Sequence, residues 1–145
     1  MSETNEAKSK ETVIPAMRYR DAHEAIEWLG RAFGFAKSMV IDGPDGKVLH
    51  AQLRLGGGMI MLSSTSTEGE MAALMTQPEG AGGRETQFPY LVVADAAAVY
   101  KTAKAAGAEI FQELQEMPYG GKAFGCRDPE GHLWSVGEYD PWADA

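Results

Sequence analysis

Three punctuation residues recur at nearly one spacing, and that spacing constrains the chain more than any other feature. Asp95 follows Asp21 by 74 residues, whereas Gly107 follows Gly34 and Gly131 follows Gly58 by 73. Each Asp stands where a helix N-cap belongs, because a carboxylate there accepts from the free N–H groups of the first turn. Gly34 and Gly107 stand where those helices end, since glycine enters the left-handed region without steric cost. Caps and turns that keep their order at a fixed offset mark a duplicated unit.

The content of the unit follows from side-chain periodicity. Val13 to Arg20 reads as a strand, with Ile14, Ala16 and Arg18 on one face and Pro15, Met17 and Tyr19 on the other. Asp21 and Glu24 form a capping box ahead of Ala22 to Phe33, where Ala25, Ile26, Leu29, Ala32 and Phe33 fall on one helical face. Trp28, beside that face, is expected to be half-buried. Ala36 to Ile41 and Val48 to Leu55 flank the turn cluster Asp42-Gly-Pro-Asp-Gly-Lys47, as in a hairpin, and His50, Gln52 and Arg54 share one face of its second arm. Gly56-Gly-Gly58 turns the chain into Met59 to Ser63.

The second half repeats the order. Phe88 to Val93 reads as a strand, Asp95 caps the helix Ala96 to Ala106, and Glu109 to Gln115 and Lys122 to Arg127 flank Pro118-Tyr-Gly-Gly121. The turn Asp128-Pro-Glu-Gly131 leads into a last strand, Leu133 to Tyr139. There Trp134 and Val136 point towards packing, and Leu133, Ser135 and Gly137 point the other way. An offset of 73 matches Gln52 to Gly125, Arg54 to Arg127 and Leu62 to Ser135. The expected fold is therefore α+β: one domain, 13–139, of two βαβββ modules at 13–64 and 88–139. The connection 65–87 carries a short helical candidate, Glu68 to Met75. Residues 1–12 and 140–145 read as tails, the first polar and mobile.

Composition narrows the function. Thirteen Lys and Arg against 21 Asp and Glu give a net charge of −8, the wrong sign for gripping nucleic acid or an anionic membrane. No apolar run approaches a membrane span and the N-terminal segment lacks an apolar core, so a cytoplasmic location is expected. The single Cys126 cannot form an internal disulfide and reads as a buried apolar residue.

Three segments carry a family resemblance: Arg18-Tyr-Arg-Asp21 entering a helix, Tyr90-Leu-Val-Val-Ala-Asp95 leading towards Ala105-Ala-Gly-Ala108, and Asp128-Pro-Glu-Gly131 before the last strand. In these the chain resembles the vicinal oxygen chelate superfamily, which includes glyoxalase I, bleomycin-resistance proteins, fosfomycin-resistance enzymes and extradiol dioxygenases. The resemblance implies incomplete barrels with helices outside, a ligand cavity inside, and commonly a homodimer. In metal-using members the ligands precede the capping Asp by about seven residues or follow the turn Gly by four. Those positions are occupied here by Ile14, Phe88, Leu62 and Ser135. Three carbon side chains and one hydroxyl suit no divalent ion, so no metal and no cofactor are expected. Glu138 has the wrong strand parity to replace them.

The cavity is expected to be walled by Ile14, Leu62, Phe88, Tyr90 and Ser135, with His50, Gln52, Arg54 and Arg127 as donors. That mixture suits a small aromatic or anionic molecule. Two readings stay open: a metal-free binding protein of bleomycin-resistance character, or an enzyme of lyase, isomerase or dioxygenase type. The latter would use His50 or Tyr90 as acid or base, or a non-standard metal site. A strand His that merely bonds its neighbours is the plainer alternative for His50.

Overall fold

A computed structural model describes residues 11–143; residues 1–10 of the expected N-terminal tail, and the last two of the chain, lie outside them. The first module runs β1 (Ala16–Tyr19), α1 (Ala22–Phe33), β2 (Ala36–Asp42), β3 (Val48–Leu55) and β4 (Gly58–Ser64). The second runs β5 (Tyr90–Val92), α3 (Ala96–Ala105), β6 (Glu109–Glu116), β7 (Lys122–Arg127) and β8 (Leu133–Gly137). Between them lie the one-turn helix α2 (Glu70–Leu74) and a 3-10 turn, Pro78–Ala81. Each module builds a four-stranded sheet, in the orders β1-β4-β3-β2 and β5-β8-β7-β6, and neither sheet closes. The fold is thus the expected pair of βαβββ modules.

The caps behave as their chemistry requires. The Asp21 carboxylate accepts from the Glu24 N–H and the Asp95 carboxylate from the Ala98 N–H, both at 3.1 Å. Gly34 closes α1 at φ 90°, where its N–H reaches the Gly30 carbonyl. A second carboxylate reinforces each helix start. Glu130 accepts from the Arg20 and Asp21 N–H groups, and Glu138 accepts from those of Ala96 and Lys122. These bonds hold the Glu138 carboxyl below the ordinary carboxylate range.

One core spans both modules. Phe33 of α1 lies 5.2 Å from Trp134 of β8, ring to ring, and 5.4 Å from Trp28. Helices α1 and α3 pack against each other through the fully buried Ala32 and Ala103, and the Thr102 hydroxyl donates to the Ala32 carbonyl at 2.7 Å. Trp28 is only 2% exposed, a correction to the half-buried expectation: α3 covers it, and its Nε1 donates to the Ala106 carbonyl at 2.7 Å.

The joint is completed by the buried Asp128 carboxylate. It accepts from the Tyr19 hydroxyl at 2.6 Å, from Trp134 Nε1 at 3.0 Å and from the N–H groups of Glu130 and His132 at 3.0 Å. Tyr19 is 1% exposed and Trp134 is fully buried, so neither donor has water to turn to. Asp128→Ala orphans both and is expected to cost about 3 kcal/mol, whereas Tyr19→Phe is expected to cost about 1 kcal/mol. Urea denaturation of the two variants distinguishes this role. A loss for Asp128→Ala no larger than that of an exposed Asp variant would show that Asp128 does not hold the joint.

Candidate functional site

Alternation along β3 creates the site. Ala51 and Leu53 are buried on the helix side, which turns His50, Gln52 and Arg54 to the opposite, concave face. Register then fixes their companions, since directly paired residues share a face. Gln52 pairs with Met61 and Arg54 with Met59 on β4, and Met61 and Ser63 pair in turn with Ala16 and Arg18 on β1. The concave face of the first sheet thus gathers His50, Gln52, Met59, Met61, Ser63 and Arg18. His50 Nε2 lies 2.8 Å from Gln52 Oε1, so the ring donates there and turns Nδ1 away from that bond.

The same register places Leu62 elsewhere. Leu62 pairs with Ala51, is 2% exposed and belongs to the helix-side core, so it borders the hollow beside Met61 and Ser63 with almost none of its surface. The cause is a difference in turn length. Four residues separate the paired Arg54 and Met59, but five separate the paired Arg127 and Leu133. The last strand of the second module therefore sits at an offset of 74, which makes Met61, not Leu62, the counterpart of Ser135. A one-residue slip exchanges the two faces of a strand.

The second sheet treats its concave face differently. Tyr90 pairs with Ser135, and Ser135 with Gly125. A Cβ on Gly125 would meet the Phe111 ring at 2.5 Å, and one on Gly137 would meet the Tyr90 hydroxyl at 2.6 Å. Two aromatic rings thus lie over two glycines, and this face is largely filled from within. The Tyr90 hydroxyl donates to the Tyr139 carbonyl at 2.7 Å, and burial raises its pKa, which suits a hydrogen-bond donor and not a base. Arg127 turns Nη1 back to the Gly131 carbonyl at 3.0 Å.

The sequence-predicted residues are therefore divided. His50, Gln52 and Arg54 share the first sheet; Tyr90, Arg127 and Ser135 share the second. Phe88, just before β5, is half-exposed and lines a hollow together with Arg18, while the half-buried Ile14 lies just before β1. Sequence reasoning missed the connection between modules as a structural part. Glu85 Oε1 lies 2.9 Å from His132 Nδ1, its Oε2 accepts from the Leu133 N–H at 2.9 Å, and Gln77 Nε2 donates to the Arg18 carbonyl at 3.0 Å. No local sequence signal announces these contacts, each of which spans 47 residues or more.

The donor chemistry does not fit a catalytic ion. The counterparts of the expected ligands are Ile14, Met61, Phe88 and Ser135, and among the described residues no three His, Cys, Asp or Glu side chains gather to hold a metal. Cys126 is no nucleophile either, since burial pushes its thiol up to about 12.

The facing of β4 can be tested by thiol chemistry. Cys126 is fully buried, so the native protein is expected to react slowly with a maleimide. Met61→Cys is expected to be labelled in the folded protein, and Leu62→Cys only after denaturation. The reverse order of reactivity would show that the register is wrong.

Known proteins share this architecture. The chain is 33% identical over 124 residues to an uncharacterized protein of Mycobacterium bovis, an alignment covering 86% of this chain and 80% of that one. An uncharacterized protein of Mycobacterium tuberculosis matches at the same identity, with 72% of its length covered. Among solved structures, TioX from Micromonospora sp. ML1 superposes with a TM-score of 0.66 at 28% identity, covering 90% of this chain and 99% of that one. The fosfomycin resistance protein FosX from Listeria monocytogenes, crystallised with Mn(II) and a dihydroxypropylphosphonic acid, shares the fold with a TM-score of 0.61 at 12% identity, covering 91% of this chain and 92% of that one. The family described as the glyoxalase/bleomycin resistance protein/dioxygenase superfamily matches residues 13–136, and the chain belongs to it.

Proposed function

We propose that this protein binds a small aromatic or anionic molecule on the concave face of its first sheet, without a catalytic metal. The observation that carries the reading is the company of that face: Arg18, His50 and Gln52 stand among Met61, Met71 and Met75 around one hollow and its margin. Apolar walls with a few convergent donors hold and orient a ligand. They serve Lewis-acid chemistry poorly, and among the described residues no three His, Cys, Asp or Glu side chains gather to hold an ion. Family membership is compatible with binding and with catalysis alike, so the weight rests on the site. A role for His50 or Tyr90 as acid or base is the weaker reading, since the His50 ring is bonded to Gln52 and the Tyr90 hydroxyl to the Tyr139 carbonyl.

The protein is further proposed to act as a homodimer. Met39 and Ile41, which pair with Gln52 and His50, and Phe111 each expose more than two-fifths of their surface on β2 and β6, the outer strands of the two sheets, where a second copy would cover them. Sedimentation at micromolar concentration is expected to give twice the chain mass, and a monomer at every concentration would remove this part of the proposal.

A thermal-denaturation screen against aromatic carboxylates, sulfonates and phosphonates tests the binding function. A ligand at a hundredfold excess over its Kd is expected to stabilise the fold by about 2.7 kcal/mol, which moves the midpoint by several degrees. Elemental analysis of protein purified without chelator is expected to find no stoichiometric transition metal. An unmoved midpoint across the whole screen would defeat the binding reading, and one equivalent of a transition metal would defeat its metal-free part.

A further inference from the structure

We propose that the Arg18 guanidinium anchors the anionic group of a flat aromatic ligand whose ring system lies against Met61, Met71 and Met75. This rests on the binding function proposed above and narrows it to one ligand class and one anchoring residue. Arg18 lines three hollows at once, of about 150, 180 and 240 Å³, between the first sheet, α2 and the residues leading into β5. Its side chain is half-buried, and among the described residues it makes no hydrogen bond and has no carboxylate within ion-pair distance.

The missing partner does not reflect a shortage of acids, since the chain carries 21 of them against 13 Lys and Arg. Two buried or half-buried carboxylates near Arg18 are engaged elsewhere. Glu85 holds His132 and the Leu133 N–H, and Glu130 holds the start of α1. The backbone that carries Arg18 is fixed from two sides, because its carbonyl accepts from Gln77 Nε2 at 3.0 Å and lies 2.9 Å from His132 Nε2. The anchored backbone fixes where the Arg18 side chain starts, and its planar fork is the group that takes a carboxylate, sulfonate or phosphonate by two parallel bonds.

The aromatic half of the ligand follows from the methionines. Met61 belongs to β4, and Met71 and Met75 to α2 and its C-cap, so methionines of two elements line the first hollow with Arg18. Met71 and Met75 are 46% and 39% exposed, and no residue of α2 is buried. This one-turn helix starts at Gly69 without a side-chain cap, so little holds it against the sheet. Flexible, polarisable side chains on a loosely held turn can settle onto a ring face.

Two fluorescent probes of similar body and different charge separate the anchor from the pocket: 8-anilinonaphthalene-1-sulfonate and the neutral N-phenyl-1-naphthylamine. The native protein is expected to bind both, the sulfonate more tightly. Arg18→Met is expected to weaken sulfonate binding about tenfold and to leave the neutral probe within about twofold. Arg18→Lys, which keeps the charge and loses the fork, is expected to give a sulfonate affinity between those of the native protein and Arg18→Met, and Arg84→Met, which removes an exposed arginine of the connection, leaves both affinities unchanged. A circular dichroism melt of each variant confirms that it folds. Sulfonate affinity unaltered in folded Arg18→Met, or lost equally in Arg84→Met, would overturn the anchor while leaving the pocket standing. Failure of the native protein to bind either probe would overturn the pocket itself.

Discussion

Asp128 accepts four hydrogen bonds at the point where the two modules meet, and the relation between the sheets depends on it. Two of the bonds, from the Glu130 and His132 N–H groups, shape its own turn; the other two come from Trp134 on the next strand and Tyr19 on the first. Burial raises the Asp128 pKa, and the bonds from Tyr19 and Trp134 oppose that rise without cancelling it. The sign matters. A carboxyl whose folded pKa lies above its unfolded one binds its proton more tightly when folded, so its ionisation weakens the fold as pH rises from the ordinary Asp range through the folded pKa. The charge therefore contributes uniqueness of arrangement more than net stability, because only one docking of β1 against the turn supplies its donors. Burial and the neighbouring Asp128 also raise the Tyr19 pKa well above its usual value, which keeps the proton where the bond needs it.

The same turn organises what surrounds it. Glu130 caps the first helix from the second module, and Gly131 sits at φ 90° with Pro78 beside it, where a Cβ would come within 3.3 Å. The connection between modules is thereby held to both: Gln77 bonds the Arg18 carbonyl and Glu130, while Glu85 bonds the residues after the turn. A segment of mixed polar composition becomes a strap through these hydrogen bonds together with the buried Pro78. Its middle, α2, lacks such ties and is the part free to adjust.

Much of this was legible in the residues, for a physical reason in each case. Caps are local, so Asp21, Asp95 and Gly34 announced the helices, and α1 begins and ends at the residues expected. Strand parity is also local, so Trp134 and Val136 fell on the packed face and Ser135 on the open one. The error in matching Leu62 to Ser135 came from carrying an offset across a turn. Gly58, which sets the offset of 73, is already the first residue of β4, whereas Gly131 stands two residues before β8, and pairing within the sheets, which decides the face, places those strands one residue further apart. Trp28 was misjudged because a lone helix was taken to have a solvent face, whereas α3 covers it. The division of His50 and Tyr90 between two sheets is a tertiary fact that no periodicity contains.

Duplication has left two halves with one topology and two uses of the concave face. In the second half Gly125 and Gly137 admit the rings of Phe111 and Tyr90, so side chains of the same module occupy the space that a ligand would need. In the first half the corresponding positions hold Gln52 on β3 and Ser63, 74 residues earlier than Gly137, on β4, which carry polar side chains of their own in place of glycines. A face lined with Arg18, His50 and Gln52 cannot be filled by its own aromatics without stranding those polar groups away from water. Open space is the arrangement such residues require, and a ligand that brings its own acceptors is what can occupy it. The asymmetry between a self-packed sheet and an open polar one is the reason the proposed binding is assigned to the first module, by the same accounting of buried donors that fixes Asp128 at the joint.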